Sequence, residues 1–93
     1  MGTKNNPSKF DCYANAEPDE PMFILLARDG MAPFLVSIWS KLRVGDSEAA
    51  TVVFEKLVRE HCMKYGISPD VEQSAEALDC SLDMFRWRKE HRS

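Results

Sequence analysis

Asp19-Glu20-Pro21-Met22-Phe23-Ile24-Leu25-Leu26-Ala27-Arg28-Asp29-Gly30 is the stretch whose reading decides the fold. Asp19 is a helix-capping residue type, and Pro21 suits a first helical turn, where its missing N–H costs nothing. Gly30 suits a left-handed stop. Between them, Met22 to Ala27 is apolar on every side, the pattern of a helix enclosed by other elements. The stretch predicts a central helix from Asp19 to Arg28 with the rest of the chain packed around it.

Toward the N-terminus, residues 1–7 are small and polar and end at Pro7, which predicts a disordered lead into one helical domain over residues 8–93. Ser8 suits the cap of a short helix reaching Ala16, with Phe10 and Tyr13 on one side at an i, i+3 spacing. Toward the C-terminus, Pro33 sits in the first turn of a helix that opens near Ala32. There Phe34, Leu35, Ile38, Trp39 and Leu42 keep the helical period until Gly45. Asp46 or Ser47 caps a third helix to Tyr65, with Ala50, Val53, Phe54, Leu57, Val58 and Cys62 as its stripe and Gly66 as its stop. Ser68 and Pro69 open the last helix, which runs to about Lys89. Glycine and proline fall only at these boundaries, and no strand-like alternation occurs. The expected fold is all-α: a compact bundle of four main helices plus a short N-terminal one.

A 93-residue chain with 44% hydrophobic and 29% charged residues fits one domain with a modest core. No apolar run approaches the ~20 residues of a membrane span, and the polar start does not read as a signal peptide. Cys12, Cys62 and Cys80 are odd in number and lack C-x-x-C spacing, so they read as reduced thiols in an intracellular protein. Net charge is −3, yet residues 11–20 carry a local −4 and residues 84–93 a local +3. Such ends are either solvated helix termini or a basic patch for an anionic or acidic partner.

The last helix has two apolar stripes. Val71, Ala75, Leu78, Leu82 and Phe85 are spaced 4-3-4-3 and read as the seam facing the core. Ala77, Cys80, Met84 and Trp87 form a second stripe, whose centre lies well over 90° away at 100° per residue. Either the N-terminal helix covers it with Phe10 and Tyr13, or another molecule does. In the second case Met84, Arg86, Trp87 and Arg88 form the partner face, since tryptophan and arginine dominate interface hot spots. Trp87→Ala is then expected to keep the helix but abolish assembly. Tyr13, Arg28 and Asp29 make a second candidate patch.

No assembled chemistry is legible. His61 and Cys62 are adjacent, so they point about 100° apart on a helix and cannot act as a base–nucleophile pair. The cysteines and histidines are too scattered for zinc. Asp79 and Asp83 form an i, i+4 like-charge pair that Arg86 can neutralise, and acids between Asp11 and Glu20 read as caps. Neither a phosphate loop nor a hydrolase motif occurs, so no enzyme activity, cofactor or metal is expected. The segment Phe85 to Arg92 mixes basic and aromatic residues, but the acidic chain argues against DNA. A small anionic nucleotide held by arginine and an aromatic ring needs far less positive surface.

Phe10-Asp11-Cys12-Tyr13, then Asp19-Glu20-Pro21-Met22-Phe23, Leu25-Leu26-x-Arg28-Asp29, Ala32-Pro33 and Trp39 resemble a group of small accessory proteins encoded by bacteriophages and prophages. The resemblance covers about residues 10–43, and the Ala77…Cys80…Met84…Trp87 pattern is similar too. It implies a non-catalytic protein of the host cytoplasm that binds and blocks a host protein, such as a defence factor. The alternative is an oligomeric sponge that sequesters an anionic nucleotide messenger.

Overall fold

The computed structural model describes residues 2–64 and 69–91. These residues are all-α, with no strand among them: α1 (Cys12–Asn15), α2 (Ala32–Arg43), α3 (Ser47–Lys56), a π-helical continuation of α3 (Leu57–Met63) and α4 (Val71–His91). The chain divides into two compact units. One pairs the N-terminal segment, through Phe23, with α4 from Glu72 onward; the other is Ile24–Val71.

The central helix does not form. Residues 20–26 are irregular, and a turn follows at Ala27 and Arg28. A helix from Pro21 to Arg28 would be about two turns long, which is marginal without burial on every side, and Met22, Phe23, Ile24 and Leu26 are exposed. The acids near it close turns instead. Glu20 Oε1 accepts the Glu17 N–H at 3.1 Å, while Asp29 Oδ1 accepts the Met31 N–H at 2.9 Å. The Asp29 carbonyl takes the Ala32 N–H at 3.0 Å, which leads the chain into α2.

Units of this kind are held by local rules that the residues obey. Asp11, not Ser8, caps α1 by accepting the Tyr13 and Ala14 N–H groups, so that helix is one turn and not the longer one expected from Ser8. In the second unit α2 packs on α3. Pro33 occupies its first turn as expected. Its end is a left-handed cap at Gly45 (φ 78°), where the Gly45 N–H reaches Leu42 and the Asp46 N–H reaches the Lys41 carbonyl at 2.9 Å. Asp46 then caps α3 through the Ala49 N–H at 3.0 Å. Ala32, Ala50 and Leu57 are buried.

Past Lys56 the helix widens, closing hydrogen bonds at i→i+5. Residues four and five beyond Leu57 then straddle its inner face, and both, His61 and Cys62, are half-buried. The His61 ring packs on Gly30 so closely that a Cβ there would collide with Cε1 and lie 2.8 Å from Nε2. Gly30 does not take the left-handed conformation of a stop; it lies against the far end of the His61 side chain, which would have to shift to admit a Cβ. The expected helix to Tyr65 is described as far as Met63; Tyr65, Gly66 and the cap Ser68 lie outside the described residues. Pro69 and Asp70 precede α4, which starts at Val71 and not at Pro69.

Gly30→Ala should shift the His61 ring and change stability by less than ~1 kcal/mol, and Asp46→Ala should destabilise the fold by ~1 kcal/mol through loss of the cap. Thermal unfolding followed by far-UV circular dichroism measures both.

Candidate functional site

The chemistry-bearing feature of this chain is α4, and its two stripes are used in the opposite sense to that expected. Trp87 is only 8% exposed, and Ala77, Cys80 and Met84 on the same stripe are half-buried. The presumed core seam faces outward: Val71, Leu78, Leu82 and Phe85 are 77%, 61%, 50% and 68% exposed.

The inward stripe is fixed by the N-terminal segment. Cys80 donates its thiol to the Met22 carbonyl at 3.4 Å. One end of the helix further on, His91 Nε2 lies 3.8 Å from Asp19 Oδ2. Trp87 stands between these ties, its ring stacked on the His91 imidazole with centroids 4.4 Å apart and planes 14° apart. His91 also donates Nδ1–H to the Trp87 carbonyl at 2.9 Å, since a carbonyl only accepts. Phe10 and Tyr13, the expected cover, are 59% and 76% exposed; the half-buried residues after α1 are Ala16, Glu20 and Pro21.

The reason is geometric. With Met22 to Leu26 irregular, the N-terminal segment needs no deep groove to enclose it. It can lie along one helix face and offer backbone carbonyls such as that of Met22. The thiol of Cys80, a weak donor, meets that acceptor from the inward stripe.

The proposed partner residues are accordingly dispersed. Trp87 is buried and Met84 half-buried, which corrects the expectation that they form an outward face. Arg86 and Arg88 are exposed, and Arg86 Nη1 pairs with Asp83 Oδ1 at 3.2 Å as its i, i+3 spacing suggested. In the second patch, Tyr13 belongs to one unit, while Arg28 and Asp29 belong to the other. Arg28 is exposed, whereas the half-buried Asp29 carboxylate is committed to the turn before α2.

Elsewhere, Phe34, Glu60, His61 and Lys64 line a shallow cleft of about 360 Å³, with the Phe34 and His61 rings 6.1 Å apart. Arg43 lies over the Trp39 ring at 5.4 Å on the exposed side of α2. All three cysteines are free. Among the described residues no three metal-ligating side chains cluster, and no helix is long and apolar enough to cross a membrane. No protein-family model, curated protein or solved structure matches the chain.

What sequence reasoning missed is the outward role of Leu78, Leu82 and Phe85. The available signal was the strict 4-3-4-3 spacing, which is the seam of a coiled coil and not the broader stripe of a helix in a globular core.

Trp87→Ala should therefore cost ~3–5 kcal/mol, as for a buried large aromatic, with loss of α4 helicity. Phe85→Ala should stay within ~0.5 kcal/mol of wild type in the isolated monomer. Denaturant unfolding followed by circular dichroism separates the two.

Proposed function

We propose that this protein is a non-catalytic helical binding protein that assembles through the outward stripe of α4 and acts by occupying another macromolecule. The observation that supports this is the exposure of Leu78, Leu82 and Phe85 on a helix whose opposite face is already packed. Contiguous apolar surface of this kind marks interaction sites. In this reading the compact bundle anticipated from the sequence is completed between molecules.

The likeness of residues 10–43 to phage and prophage accessory proteins extends the proposal to its setting: a phage-derived protein of the host cytoplasm that binds and blocks a host component, such as a defence factor. Arg86, Arg88 and the exposed Arg28 supply cationic contacts at the edges of such a complex.

A nucleotide sponge is the weaker reading, because the indole it would use for stacking already carries His91 on its face and is buried.

Leu82→Asp should abolish capture of a host protein by the purified chain, and inhibition of that protein's activity, while leaving helicity unchanged. Capture and inhibition equal to wild type would refute the proposal. Thermal-shift screening with nucleotides and cyclic dinucleotides should show no stabilisation, which a bound ligand would produce as RT ln(1 + [L]/Kd).

A further inference from the structure

We infer that the outward stripe of α4 is closed by α4 of a second copy of this chain, running antiparallel. The inference rests on reading that stripe as an assembly face and commits it to one occupant. Val71, Ala75, Leu78, Leu82 and Phe85 alternate at four and three residues, the a/d repeat of a two-helix seam. All five are exposed along an unbroken helix of 21 residues. The stripe that faces away from such a seam, Ala77, Cys80, Met84 and Trp87, is the one packed on the chain's own N-terminal segment. Each helix therefore has one face for its own chain and one for a partner.

Charge sets the direction. Beside the seam stand Glu72, Asp79 and Arg86 on one edge and Ser74, Ser81 and Arg88 on the other. In a parallel pair, opposite edges meet, so Ser74 would face Asp79 and Ser81 would face Arg86, which forms no ion pair. In an antiparallel pair, like edges meet. Ala75 then packs on Phe85 of the second copy, Leu78 on Leu82, and Glu72 meets Arg86 twice by symmetry. Ser74 faces Arg88. The costs are Asp79 facing its own equivalent near the two-fold axis and Val71 facing Lys89 at each end of the seam.

Arg86 already contacts Asp83 at 3.2 Å, and its five N–H donors allow it to serve both carboxylates. Glu72 in the first turn and Arg88, Lys89 and His91 in the last also oppose correctly when the helices run in opposite directions.

The test uses the full chain alone, by sedimentation equilibrium, with circular dichroism to confirm helicity. Wild type should dimerise and Phe85→Asp should be monomeric. Glu72→Lys and Arg86→Glu should each weaken the dimer about ten- to thirty-fold, as two exposed ion pairs become repulsive, and the double reversal should restore it. A monomeric wild type, reversals without effect, or a double variant no tighter than the singles would each overturn the inference. Since host protein is absent, a monomeric wild type whose Leu82→Asp variant still loses host capture would remove this inference and leave the proposed function standing.

Discussion

α4 is a helix with two apolar faces and one covering segment, and this imbalance governs everything else. A helix on the outside of a small protein needs a single apolar stripe. Here the Trp87 stripe is taken by the N-terminal segment, through the Cys80 thiol on the Met22 carbonyl and His91 beside Asp19. The stripe through Leu78, Leu82 and Phe85 is left in solvent. Burial of a large side chain is worth about 1.5–3 kcal/mol, so leaving three exposed gives any complementary surface a substantial driving force.

The second unit is ordered by different means. A glycine cap at Gly45, an aspartate cap at Asp46 and the widened turn after Lys56 hold α2 and α3 together around small residues. π-helical turns often accompany functional positions. In this one the His61 ring replaces the side chain that Gly30 lacks, so the packing role is evident from the geometry. The cleft beside it, lined by Phe34, Glu60, His61 and Lys64, is shallow.

Local punctuation was readable from the residues. Pro33, Gly45 and Asp46 each do what their chemistry prescribes, because capping and turn formation depend on a few neighbouring residues. The region from Asp19 to Arg28 has the composition of a buried helix, but a segment that short holds a helix only when other elements enclose it, and composition does not report enclosure. The two stripes of α4 were both legible, but not which one turned inward. The inward face is marked by contacts distant in sequence, such as Cys80 with Met22, 58 residues away. Periodicity reports faces; only tertiary contacts assign them.

The assignment of faces can be tested directly by the environment of the Trp87 indole. In a Trp39→Phe chain, Trp87 is the sole tryptophan, and its fluorescence should be blue-shifted and shielded from acrylamide at every protein concentration, because its cover comes from its own chain. Water-like emission, or shielding that disappears on dilution, would contradict the account by showing that the Trp87 stripe is covered by another molecule or by nothing.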